Sequence, residues 1–216
     1  MAGKVKLKET HAGSIYTLRW NPKHKITTTQ YALYAVQFAA LIILSWAGTI
    51  STAGFVMGIY WPEAFYVLFV LWWGWWGIAA VYLGSVIGGG LLTGAPLLQA
   101  LSVNTCNLAS VLLIFLIYRT IITKSGLDPF GRDILSNKLA AFWFLFWIMG
   151  VTNIINGIIG VFFLIQFGAI PASTFYLSTG LWILGDAIAL ILFPFLTKYL
   201  TPIVERSGLL VRGWIT

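Results

Sequence analysis

The sequence predicts an all-α fold, a polytopic membrane helix bundle with about six transmembrane helices and with the N- and C-termini both cytoplasmic. Three observations lead there. Of 216 residues, 59% are hydrophobic and only 9% charged, against about 25% charged in soluble domains. The mean hydropathy is +0.89, and at about 20 apolar residues per crossing the chain suits one bundle with no room for a sizeable soluble catalytic domain. The basic residues fall in three patches and nowhere else. These are Lys4, Lys6, Lys8, Arg19, Lys23 and Lys25, then Arg119, Lys124, Arg132 and Lys138, then Lys198, Arg206 and Arg212. Positively charged segments stay inside, so all three patches are assigned to the cytoplasm. This placement explains the net charge of +7 through orientation and anionic headgroups, and no nucleic-acid partner is called for. The lipid bilayer is the partner it implies, and the plasma membrane the expected location.

The chain is divided into a basic cytoplasmic tail at 1–30, a transmembrane domain at 31–198 and a basic cytoplasmic tail at 199–216. The first 30 residues lack the apolar core of a signal peptide. Tyr16 and Trp20 lie beside Arg19 and Lys23, but the apolar face is too thin to favour a segment lying on the membrane surface. The first crossing, 31–53, carries Ala35 and Ala39, and small residues four apart let another helix approach closely, within the protein or in a partner. Ala35 and Ala39 are the candidate partner-docking residues.

The region 61–119 has to cross three times for the second basic patch to be inside. Pro62 fits the first turn of a helix, where its missing N–H costs nothing. From residue 61 to 73 a helix rises only about 20 Å, short of the roughly 30 Å hydrocarbon core. Residues 77–92 form a second short crossing that ends among Gly88, Gly89 and Gly90. Between them, Trp72-Trp73-Gly74-Trp75-Trp76 reads as an aromatic belt at the inner interface. Gly94-Ala95-Pro96 turns the chain into the fourth crossing, 97–118. In the loop 120–138, Asp128-Pro129-Phe130-Gly131 signals a turn, and Arg132-Asp133 reads as a solvated pair. The fifth crossing is 139–165 and the sixth 174–197, which Pro194 should end or kink.

Polar residues inside these crossings are costly and usually face a bundle interior or a watery cavity. They are Glu63, Gln99, Asn104, Asn107, Thr152, Asn153, Asn156 and Asp186. Span direction puts them in the outer half or near the midplane, and the 104/107 and 153/156 pairs each share a helix face. Glu63, Asn104, Asn107, Asn153, Asn156 and Asp186 are therefore the candidate ligand-binding residues of a polar pocket open to the outside, capped by the turns 54–61 and 166–173. The alternative role for each is a hydrogen bond between helices, worth about 0.6 kcal/mol on average. No Lys or Arg is available in the membrane, so Asp186 is expected to be neutral, to accept hydrogen bonds, to meet water or to face a cationic ligand. Cys106 is the single cysteine. With no histidine or basic residue at its depth to form a thiolate, it reads as a packing residue. His11 and His24 both lie in the tail, so no metal site and no cofactor are expected, and no constellation for catalysis is visible.

With these residues in view, the chain resembles the membrane-associated sensor family one, an integral-membrane input domain. The resemblance is carried by Trp61-Pro62-Glu63-Ala64, Gly74, Trp75-Trp76, Leu83-Gly84, Gly88-Gly89-Gly90, Pro96-Leu97, Asn104-Thr105, Leu127-Asp128 and Trp182-Ile183-Leu184-Gly185-Asp186 followed by Pro194. It covers about residues 35–200. Such domains are usually longer and feed an output enzyme, so the resemblance implies a stand-alone sensor that signals through a partner protein. The six-helix plan and Ala35/Ala39 also look like the substrate-binding components of energy-coupling-factor transporters. The expected function is a non-catalytic membrane protein that binds a small molecule from outside and acts through a partner. A transporter's binding subunit and an accessory subunit of a larger membrane complex are the alternatives.

Overall fold

The computed structural model describes residues 27–51, 58–207 and 210. The N-terminal tail through residue 26, residues 52–57 with the first half of the turn at 54–61, and nearly all of 208–216 lie outside the described residues. The described chain is all-helical. Its helices are α1 (Thr28–Ser51), α2 (Pro62–Trp73), α3 (Trp75–Thr93), α4 (Leu97–Ile122), α5 (Lys138–Gln166), α6 (Ala172–Leu190) and α7 (Phe193–Arg206). Four of them are long and apolar enough to cross a membrane, and five if the bent α6–α7 pair is one span. This is the composition of a multi-pass membrane protein.

The short helix α2 is the post around which the others stand. Ten of its 12 residues are buried, and it contacts α1, α3, α4, α6 and α7. Pro62 occupies its first turn. At Gly74 (φ 55°) the chain reverses directly into α3, a conformation that a Cβ would strain. The hairpin closes tightly enough that a Cβ on Gly77 would stand 2.5 Å from the Phe69 carbonyl oxygen. The aromatic knot is therefore not a belt. Trp72 and Trp73 are core residues, and the Trp72 indole donates to Thr201 Oγ1 on α7 at 2.9 Å. Trp76 stacks on Tyr34 with centroids 4.2 Å apart, while Trp75 is exposed. A belt and a buried cluster have the same composition, and only the packing of α7 onto α2 separates them.

α1 and α3 pack against each other through glycines rather than through the predicted alanines. Leu41 and Ser45 lie on the buried face of α1. They sit against Gly84 and Gly88, which are four residues apart on α3, the small-residue spacing that brings helices close. Ala35 and Ala39 are exposed on the opposite side of α1.

At the end of the bundle away from residue 58, Arg119 and Arg132 are held by protein partners. Arg119 is buried and donates to the Leu71 carbonyl at 2.7 Å, close to the C-terminus of α2. Arg132 does not pair with Asp133. Its guanidinium donates to Asp128 Oδ2 at 2.6 and 2.8 Å and to Glu205 at 2.7 Å, which ties the 123–137 loop to α7. Asp128 Oδ1 in turn accepts from the backbone N–H groups of Phe130 and Arg132, shaping the turn that the sequence signals. The segment 199–206, assigned to a tail, continues α7 and buries Thr201. α6 and α7 are bent by 40°, with Pro194 in the first turn after the break.

Asp133 accepts from the Asp128 N–H at 3.1 Å. Burial pushes its carboxyl above the usual range, and this outweighs that backbone hydrogen bond. A raised folded-state value means that its share of stability is intact below the unfolded pKa of about 3.9 and lost as pH rises through the folded value. Asp133→Asn removes this titration. The thermal midpoint of the variant, relative to wild type, should rise from pH 4 to pH 7. A difference that stays flat with pH would contradict it.

Candidate functional site

Close helix approach at the other end of the bundle leaves a cavity of about 270 Å³. Its wall comes from α1, α3, α4, α5, α6 and the turns at Gly58–Tyr60 and 167–171. It reaches the surface beside the exposed Ala169. Glycines shape the wall. A Cβ on Gly160 of α5 would stand 2.7 Å from the Trp182 ring, and one on Gly90 would stand 2.5 Å from the Ala100 Cβ, so each glycine admits a neighbour from the facing helix.

Three of the six candidate ligand-binding residues line the cavity: Asn104, Asn107 and Asp186. Asn104 interrupts α4 as a single turn residue between helical segments. Its amide donates back to the Ala100 carbonyl at 2.8 Å, a local bond that competes with the helix ladder. Asn107 donates to Asn104 Oδ1 at 3.1 Å, so the i, i+3 pair forms one polar strip. Asp186 accepts from Asn156 Nδ2 at 3.1 Å, and Trp182, one turn earlier on the same face of α6, lines the cavity with it. Asn156 thus stands behind Asp186, linking α5 to α6.

Asn153 donates to the Ile183 carbonyl at 2.9 Å and bridges the same two helices away from the cavity wall. Asn153 and Asn156 follow a widened π-helical stretch, Phe144–Thr152, and such stretches recur at functional sites. Glu63 is 2% exposed and sits in the first turn of α2, where the helix dipole favours a negative charge. It does not line the cavity, but it is an electrostatic neighbour of Asp186, and its Oε2 has no hydrogen-bond partner. Thr152 bonds within α5 to the Ile148 carbonyl, and Gln99 is half-buried near the start of α4. The docking pair Ala35/Ala39 is exposed on α1, ten or more residues before Thr49, the α1 residue that lines the cavity.

Several wall residues escape the sequence reading. Thr49, Tyr60, Cys106 and Trp182 all contribute. Tyr60 belongs to a chain of hydroxyls. Ser45 donates to the Leu41 carbonyl at 2.6 Å, so it must accept from Tyr66 at 2.6 Å. Tyr66 then accepts from Tyr60 at 2.8 Å, and Tyr60 and Thr49 both line the cavity. The chain runs from the cavity wall into the α1–α2 seam with every hydroxyl proton committed in one direction. Hydroxyls of this kind carry no distinctive sequence signal. Trp182 was legible in part, because it lies four residues before Asp186. Gln37 was overlooked as well. It is buried on the Leu41 face of α1, and neither of its amide atoms has a partner.

The six described basic residues, Arg119, Lys124, Arg132, Lys138, Lys198 and Arg206, all lie toward the end opposite the cavity. Among the described residues, no group of three or more His, Cys, Asp or Glu side chains is placed to hold a metal ion. Compared with protein-family models, with curated proteins and with solved structures, the chain matches none.

Proposed function

We propose that this is a plasma-membrane protein with six helical crossings and both termini in the cytoplasm. It binds a small molecule from outside in the Asp186 cavity and acts through a partner protein. The observation that carries this reading is the meeting of Asn104, Asn107 and Asp186 at one cavity, at the bundle end that holds no described basic residue. Positive residues mark the cytoplasmic end, so the cavity end faces out. α2 makes a crossing although it has only 12 residues, because the surrounding helices shield both of its ends from lipid. Short segments of this kind accompany binding sites near the midplane.

The reading is non-catalytic. The Cys106 thiol donates to the Asn107 amide oxygen, no Lys, Arg or His lines the cavity with it, and a thiolate requires a base or cation beside it. A sensor that passes occupancy to a partner protein is the preferred role, in keeping with the resemblance to membrane-associated sensor domains. The second role, a transporter's substrate-binding subunit, is favoured by the exposed Ala35 and Ala39, which leave a flat strip on α1 for a membrane partner. Purification in mild detergent, denaturation and mass spectrometry of released small molecules tests the binding claim. One compound should be released in stoichiometric amount, and Asp186→Asn combined with Asn104→Ala should reduce it at least tenfold. No release, with a double variant as stable as wild type, would sink the reading.

A further inference from the structure

The cavity's charges identify the class of molecule that it takes, given the ligand-binding reading above. Asp186 opens onto the cavity, and the group that donates to it, the Asn156 amide, is neutral. A carboxylate offers about four acceptor positions, so acceptor capacity remains on the cavity side. A second carboxylate, Glu63, is its electrostatic neighbour and is equally buried. The described lysines and arginines lie toward the far end of the bundle. Buried carboxylates call for a counter-charge, and the described residues supply none in the cavity wall.

The remaining wall excludes the simplest counter-ions. At about 270 Å³ the cavity is far larger than a metal ion, and no described cluster of metal-ligating side chains accompanies Asp186. Val103, Leu164 and Ile170 make part of the wall apolar, and Trp182 and Tyr60 add aromatic rings to it. Such rings attract an ammonium group through their π faces. An anion would meet the Asp186 carboxylate, and no Lys or Arg lines the cavity. We infer that the cavity binds a small organic monocation, a protonated amine with an apolar body, whose ammonium group is held by Asp186 beside Trp182.

Calorimetric titration of the full-length protein in detergent tests this with three probes of one shape: phenethylamine, its neutral analogue 2-phenylethanol and the anion phenylacetate. Phenethylamine should bind saturably and at least tenfold more tightly than either of the others. Asp186→Asn should erase that preference. The ratio among probes on the unmodified protein decides the matter even if the variant fails to fold. Binding of the alcohol or of phenylacetate as tight as that of the amine overturns the cation inference and leaves the cavity reading intact. So does the release of a neutral or anionic compound in the mass-spectrometric test, whereas a released amine supports it. Failure of all three probes to bind, with no compound released, overturns both.

Discussion

Gly88→Val should prevent the bundle from assembling in its native packing. A Cβ built on Gly88 falls onto the Ile42 carbonyl oxygen and also stands 3.0 Å from the Ser45 Cβ. Both are on α1, and one of them is backbone, which cannot swing aside. Four residues earlier, a Cβ on Gly84 would stand 2.8 Å from the Leu41 Cβ. The two helices therefore have no slack along this seam. Overpacking costs about 1–3 kcal/mol and sometimes more where the backbone must move, and Val adds two further methyl groups. We expect a loss of about 3 kcal/mol or more, read as loss of the monodisperse peak after brief heating and solubilisation. Gly180→Ala is the control. It is exposed on α6 with nothing within 4 Å of an added Cβ, and replacing a helical glycine gains up to about 1 kcal/mol. Its midpoint should be unchanged or slightly raised. Equal tolerance of both substitutions would contradict the α1–α3 packing.

Arg119→Met should be nearly as damaging, by roughly 3 kcal/mol. The last carbonyls of a helix have no partner within it, and Leu71 supplies one of them near the end of α2. Arg119 caps that carbonyl at 2.7 Å and reaches the Pro129 carbonyl at 3.4 Å. The rings of Phe115 and Phe130 lie 5.5 and 5.9 Å from the guanidinium carbon. Methionine keeps an apolar stem but strands buried acceptors. Arg119→Lys should restore little, because one ammonium group cannot reproduce a planar fork that both donates and stacks. A midpoint within a degree of wild type for the methionine variant would contradict this role.

Hydropathy and turn chemistry made much of the fold legible. The long apolar runs gave α1, α4 and α5, Gly94-Ala95-Pro96 marked the entry to α4, and Pro194 marked the bend before α7. What escaped was partner choice. Arg119 looks like its neighbours in the basic patch, and only the approach of α2 to α4 shows that it is buried. The Arg132–Glu205 bond spans 73 positions, and no local pattern encodes it. In the cavity, the i, i+3 spacing of 104/107 gave one polar strip because helix geometry fixes it. The contact of Asn156 with Asp186 depends on how α5 and α6 are aligned, which the glycines at 157 and 160 set by admitting Ile183 and Trp182. The hydroxyl chain from Tyr60 to Ser45 was illegible for the same reason, since its members come from different helices.

The central claim is that these side chains line one cavity open to the outside. Impermeant maleimide labelling in intact cells tests it most directly, in a Cys106→Ser background. Val103→Cys places a thiol in the cavity wall, and Ser125→Cys places one on the exposed loop at the opposite end. The first should be labelled from outside and the second only after the cells are permeabilised. Labelling of the second alone in intact cells, or a Val103→Cys thiol that stays unreactive from both sides, would contradict it.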